Sequence, residues 1–158
     1  MNQDLVQRVI KMMFNNKFLY ALEAVLDIAI NFKGTPIQGH EITKRQGIPK
    51  RYLEKILQEL VHKNILKGTR GPKGGYSLAR EKRKVNLFEI YTVILAIENK
   101  FHNTISETEI RKKIISPLIL NVSNKIASTL QITTLDDLCK KITNNTNINT
   151  KKKIDFSI

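Results

Sequence analysis

The stretch HEITKRQGIPKRYLEKILQELVHK, His40 to Lys63, decides the fold. Its first residues, His40 to Gln46, read as a short helix closed by Gly47, the residue type that takes a left-handed C′ position at least cost. Ile48 and Pro49 then open another helix, with Pro at its first position, where no donor is lost. That helix runs to about Lys63. At about 100° per residue, Lys50, Arg51, Glu54, Lys55, Gln58, Glu59 and His62 share one arc of it. Tyr52, Leu53, Ile56, Leu57, Leu60 and Val61 share the other. One face is suited to a core, and the opposite face is polar from end to end and headed by cations. A short helix, a tight glycine turn and a helix of this kind make a helix-turn-helix pattern.

Upstream, Phe18 to Ile30 (FLYALEAVLDIAI) reads as a helix with Glu23 and Asp27 four apart on a polar face. Asn31 to Pro36 is a turn. Downstream, Ile65 to Thr69 and Tyr76 to Ala79 read as short strands around Arg70-Gly71-Pro72-Lys73-Gly74-Gly75. Three glycines and a proline make this a hairpin loop thin enough to approach another molecule closely, with Arg70 and Lys73 as its long side chains. A nucleotide phosphate loop is a poor alternative: G-x-x-x-x-G-K-[ST] is missing, and a strand follows where a helix should. Together these elements describe a winged helix-turn-helix.

Val85 to Ile97 reads as a helix capped by Asn86 and apolar almost all round, so part of it needs cover from another subunit. Glu98 to Lys113 is polar and aperiodic, which predicts a loop. Ser116 and Pro117 open a helix over Leu118 to Leu130, with Leu118, Ile119, Val122, Ile126 and Leu130 at helical spacing, as a long dimerisation helix would have. Thr134 and Asp137 form a capping-box variant that starts a short helix to Ile142. Thr143 to Lys153 is low-complexity and polar, which predicts a disordered tail. The fold class is therefore mainly α with a small β-hairpin: a winged helix-turn-helix domain plus a long C-terminal dimerisation helix. The expected divisions are an N-terminal extension over 1–11, the winged domain over 12–84, a helical linker, sensor-like loop and dimerisation helices over 85–142, and the tail over 143–158.

The chain has 158 residues and a formal net charge of +13. From Lys44 to Lys84 there are thirteen cations and three acids (Glu54, Glu59, Glu81), so ten of the net charges lie in this stretch. Lysine-rich composition explains many lysines but not their separation from acids. Such a segment repels itself unless a polyanion is near, and nucleic acid is the first candidate. No apolar run reaches the roughly 20 residues of a membrane span, and the first 17 residues do not read as a signal peptide; the expected compartment is the cytoplasm. The single cysteine, Cys139, excludes an internal disulfide and any multi-cysteine metal site within one chain. It reads as a buried small hydrophobe. His40, His62 and His102 are scattered singly, and no nucleophile–base pair or cofactor loop is visible, so an enzyme is not expected.

These residues resemble the Rrf2 family of bacterial transcription regulators. The likeness is carried by Tyr20-Ala21-Leu22 with Leu26-Asp27 and Ala29, by Arg45-Gln46-Gly47-Ile48 and by Arg51-Tyr52-Leu53-Glu54-Lys55-Ile56-Leu57. Arg70-Gly71-Pro72, Gly74-Gly75-Tyr76 and Leu78-Ala79 complete it. It is strong over residues 12 to about 98 and weaker around Thr134 to Leu138, while residues 1–11 extend beyond the usual start. The resemblance implies a homodimer that binds double-stranded DNA at a near-palindromic operator, most simply as a repressor. It also implies recognition-helix contacts by Arg51, Glu54 and Lys55, and a wing contact by Arg70. Lys50 and Lys73 join them as phosphate contacts, and Gly71, Gly74 and Gly75 shape the wing. Tyr20, Tyr52 and Tyr76 are expected to pack rather than read bases. Many members bind an iron–sulfur cluster through three cysteines after the apolar helix. Here Asn99 to Ile115 has none, and His102, Glu107 and Glu109 are a weak ligand set, so no metal or cofactor is expected. Gly39 replaces a larger apolar residue. A cluster-free member senses through a regulatory protein partner or an unknown ligand. The alternative is an interaction protein with weak generic DNA affinity.

Overall fold

A computed structural model describes Gln3, Asp4, Arg8, residues 14–98 and residues 108–154. Most of the expected N-terminal extension, residues 99–107 with His102 and Glu107, and residues 155–158 lie outside the described residues. Helix α1, Asn16–Asn31, starts where the Asn15 side chain accepts a hydrogen bond from the Phe18 amide at 3.0 Å. Phe18, Ala21, Ala24, Val25 and Ile28 form its buried stripe. The two alanines let neighbouring elements approach closely. Asp27 does not lie on an open polar face as the spacing suggested; it is 2% exposed, because the next helix in the chain covers it.

Helix α2, Gly39–Gln46, ends on Gly47 at φ 67°, the left-handed closure that the sequence predicts. Helix α3, Lys50–His62, starts one residue later than predicted: Pro49 is the N-cap, and its carbonyl accepts from the Tyr52 and Leu53 amides at 3.0 and 3.1 Å. The core stripe of α3 is narrower than the apolar arc. Leu53, Ile56, Leu57 and Leu60 are buried, Val61 is half-buried and Tyr52 is 49% exposed. Tyr52 and Val61 sit about 80–100° either side of the stripe's centre; Val61 still packs against the core beside β1, whereas Tyr52 faces solvent. Tyr52 is thus a surface residue, whereas Tyr20 and Tyr76 pack against the core.

Strands β1, Leu66–Thr69, and β2, Gly75–Leu78, pair antiparallel with Leu66 opposite Leu78 and Thr69 opposite Gly75. Ile37 adds a bridge: it exchanges two 2.8 Å backbone hydrogen bonds with Tyr76. The hairpin is therefore sewn to the entry of α2. A 3-10 turn over Lys82–Lys84 leads to α4, Leu87–Glu98. Asn86 caps α4 as expected, and Glu89 returns the bond to the Asn86 amide. Leu87, Ile90, Val93 and Ile94 are buried and Leu95 is exposed, so one side of this apolar helix lacks cover.

The loop expected through Lys113 ends earlier. Glu109 and Ile110 are already helical, and a π-helical turn over Arg111–Ile115 runs into α5, Ser116–Ile132. Pro117 lies inside this rod rather than at its start. The wide turn, with the Ser116 amide bonded to the Arg111 carbonyl, precedes a residue that has no amide hydrogen to give and whose ring crowds the preceding turn. Polar residues gave no periodic signal because the rod is exposed around most of its circumference. The expected capping pair holds at the start of the last helix: the Thr134 amide donates to Asp137 at 2.9 Å, and the Asp137 amide to Thr134 at 3.2 Å. Helix α6 spans Leu135–Ile154 rather than stopping at Ile142, so the backbone of the expected disordered tail is helical to Ile154. Asn, Thr and Lys carry only modest helix penalties.

Helix α6 returns to the core. Leu135 is fully buried, Cys139 is 6% exposed, and the Leu87 and Leu135 amides bond to the Thr133 and Val85 carbonyls. Leu60→Ala should lower stability by about 2–5 kcal/mol in urea denaturation, whereas Tyr52→Ala should stay within about 0.5 kcal/mol. Equal losses would contradict the narrow stripe.

Candidate nucleic-acid interface

Helix α3 presents Lys50, Arg51, Glu54, Lys55 and Gln58 to solvent. Its first turn holds no acid and no side chain caps it, so its free amide groups and the cations Lys50 and Arg51 concentrate positive potential at one end. That arrangement is unfavourable to the isolated helix and favourable to an approaching phosphate. Lys50 faces Glu54 at 3.8 Å across an exposed surface, a contact of little energetic weight. Arg51 and Lys55 have no carboxylate within 4.0 Å among the described residues.

The wing carries Arg70, Gly71, Pro72 and Lys73, all exposed. Gly71 has φ 107°, which favours glycine. A Cβ on Gly74 would run into the Thr69 carbonyl oxygen, and one on Gly75 would lie 2.5 Å from the Ile37 carbonyl oxygen. These two glycines are required by the wing's own packing. The Gln38 side chain reaches the Pro72 carbonyl at 3.4 Å, tying the wing tip to the start of α2. Between α3 and the wing lies an open groove of about 700 Å³, with Gln58 and His62 on one wall and Thr69, Arg70 and Pro72 on the other.

The basic footprint is smaller than the sequence suggested. Arg45 pairs with Asp27, Arg80 with Glu89, Lys82 approaches Asp136, and Arg83 and Lys84 share Glu81. Lys44, Arg51, Lys55, Lys63, Lys67, Arg70 and Lys73 have no such partner among the described residues. The cations without a carboxylate nearby therefore concentrate on α3 and the hairpin, while Arg80, Lys82, Arg83 and Lys84 each lie within 4.0 Å of an acid, the last three in exposed contacts that weigh as little as that of Lys50.

Sequence reasoning missed the role of Asp27. Its carboxylate accepts from Arg45 Nε at 2.9 Å, Arg45 Nη2 at 2.7 Å and Gln46 Nε2 at 2.7 Å. Helix spacing alone held no signal for this, because the burial comes from α2 crossing above it. Burial pushes this carboxyl up, but hydrogen bonds from Arg45 and Gln46 and the Arg45 charge outweigh it, so it stays below its ordinary value of 3.8. Cys139 is buried, as expected, and burial raises its pKa.

Among the described residues no group of three or more His, Cys, Asp or Glu could hold a metal ion. Glu109 pairs with Lys113 at 2.8 Å. One cysteine, shut in the core, is not a donor set for an iron–sulfur cluster. No described helix is long and apolar enough to cross a membrane.

A short helix, a left-handed glycine turn, a polar-faced helix and a hairpin sewn to their entry define a winged helix-turn-helix protein. The chain belongs to the Rrf2 family: the family model described as "Iron-dependent Transcriptional regulator" matches residues 14–141. It is 36% identical over 93 residues to an HTH-type transcriptional regulator of Haemophilus influenzae, covering 59% of this chain and 60% of that one. It is 32% identical over 83 residues to the HTH-type transcriptional regulator IscR of Escherichia coli, covering 52% and 51%. The chain thus spans between half and three fifths of the length of these relatives. Among solved structures, the IscR of T. potens superposes with a TM-score of 0.66 at 27% identity, over 81% of this chain and 86% of that one. CymR, described as the global cysteine regulator of B. subtilis, shares the fold with a TM-score of 0.64 at 23% identity, over 81% and 96%. The family is one of transcriptional regulators, not of enzymes.

The folded chain binds a proton at Asp27 less readily than the unfolded chain does. Its stabilising contribution is therefore complete above the ordinary carboxylate range and is lost as pH falls through the lowered value. The stability gap between wild type and Asp27→Asn should narrow as pH drops from about 6 to about 3, measured by urea denaturation at each pH. A constant gap would contradict the pairing.

Proposed function

We propose that the chain is a sequence-specific, DNA-binding transcriptional regulator that acts as a homodimer on a near-palindromic operator. The observation that carries this is the uncapped, acid-free start of α3 beside a wing whose cations are unpaired. Helix α3 enters the major groove by its first turns. Arg51 meets guanine edges and Glu54 accepts from cytosine amino groups. Lys50, Lys55 and Lys73 meet phosphates, which supply affinity and salt dependence. Arg70, on a wing thinned by Gly71, Gly74 and Gly75, enters the minor groove, where the potential is most negative. Repression is the simplest mode, since a dimer seated on a promoter excludes polymerase. The bacterial cytoplasm, where the chromosome lies, is the compartment.

The homodimer rests on α5. Ile114, Ile115, Leu118, Ile119 and Val122 are 66%, 46%, 62%, 56% and 42% exposed along one rod, and a second copy of the same rod is the occupant that suits them. Two-fold symmetry then demands two half-sites about one helical turn of DNA apart, or a multiple of it.

In gel shifts against promoter fragments, including its own, the protein should select one site with a steep salt slope. Arg51→Ala should cost about 1–3 kcal/mol at that site and relax base preference, whereas Lys73→Ala should weaken binding to all DNA alike and lower the salt slope by about one. The absence of preference among fragments would leave the interaction-protein reading in its place. Leu118→Glu should yield monomers in sedimentation and weaken operator binding; a variant that stays dimeric contradicts the α5 interface.

A further inference from the structure

We propose that Asp27 is a positioning residue for DNA recognition: by clamping Arg45 and Gln46 at the end of α2, it sets the direction in which α3 meets the duplex. The inference rests on the DNA-binding reading above. Asp27 is the buried charged side chain among the described residues, with 0% of its side chain exposed. Replacing a buried ion pair by apolar side chains of similar volume is often neutral or stabilising, so stability alone is a weak account of an acid here. A carboxylate gripped by a guanidinium fork supplies direction instead: the two Asp27 oxygens take Arg45 Nε at 2.9 Å and Nη2 at 2.7 Å. The Gln46 amide adds a third bond at 2.7 Å.

The clamp lies where direction matters. Arg45 and Gln46 are the last residues of α2, and α3 begins at Lys50. The residues between them have little freedom. Gly47 is left-handed, Ile48 is fully buried, and the ring of Pro49 fixes its φ, here −59°. Orientation imposed on Gln46 therefore passes to Arg51 with little slack. The contacts of Leu53, Ile56, Leu57 and Leu60 hold α3 to the core, but apolar burial is non-directional and tolerates small rotations. It also follows that Arg45 is not a phosphate contact, although it is one of the thirteen cations of the footprint: its inner nitrogens hold Asp27 and Nη1 faces Glu41 at 4.0 Å.

The test uses full-length protein and an operator selected by the wild type from a random DNA pool. Affinity for that operator and for generic DNA is compared per folded molecule. Asp27→Asn and Arg45→Gln should lose about tenfold in operator preference, the discrimination carried by one good base contact, with generic affinity and salt slope unchanged. Single variants leave a buried group unpaired, so two further variants separate positioning from folding. The apolar pair Asp27→Leu with Arg45→Met should recover thermal stability while operator preference stays reduced. Arg45→Lys keeps the charge, loses the fork and should show the same selective loss. Recovery of operator preference together with stability, or full preference in Arg45→Lys, would make the pair merely structural and overturn the inference. A salt slope that falls by about one in Arg45→Gln would overturn it too, by making Arg45 a phosphate contact. A wild type that selects no sequence from the pool removes the functional reading itself, and the inference with it.

Discussion

Leu53, Ile56, Leu57 and Leu60 bind α3 to the core that α1 and the hairpin share, and the outward face of α3 follows from that attachment. Once those four side chains are buried, Lys50, Arg51, Glu54, Lys55 and Gln58 have nowhere to go but solvent. The same constraint fixes the wing. Ile65 and Leu66, at the start of β1, are buried behind α3, so the hairpin must project beside the helix, and the Ile37–Tyr76 bridge holds it there. A helix face and a wing tip on one side of a small domain are thus consequences of where the apolar residues are buried.

Much of this was legible in the chain itself, because the relevant signals are local. Gly47 marks a left-handed turn, Asn86 and Thr134 mark helix starts, and three glycines with a proline mark the wing. Each depends on backbone geometry within a few residues. What was not legible depends on partners distant in sequence. Asp27 looks like a solvated acid until α2 crosses it, and Ile37, just after the Asn31–Pro36 turn, carries no local signal of its pairing with Tyr76. Tyr52 looked like core because an apolar arc is wider than the surface that covers it. Pro117 was a start signal by rule, and the π turn before it absorbs what the rule forbids.

Charge shows the difference between sequence and site most clearly. Thirteen cations between Lys44 and Lys84 formed a single basic block along the chain. In space they divide. Arg80 meets Glu89 of α4 and Lys82 approaches Asp136 of α6, which ties the winged domain to the helices that follow it, while Arg83 and Lys84 pair locally with Glu81. Arg45 is held by Asp27. Those that remain uncommitted lie mainly on α3 and the hairpin. The footprint is therefore smaller than the charge count, and more directional.

Amide hydrogen exchange, compared between the free protein and its complex with selected operator DNA, tests this division most directly. Protection confined to residues 50–58 and 70–75, with Lys82 to Lys84 unchanged, is the expected result. Protection centred on Lys82 to Lys84, with α3 and the wing unaffected, would contradict the assignment of α3 and the wing as the DNA-contacting surface.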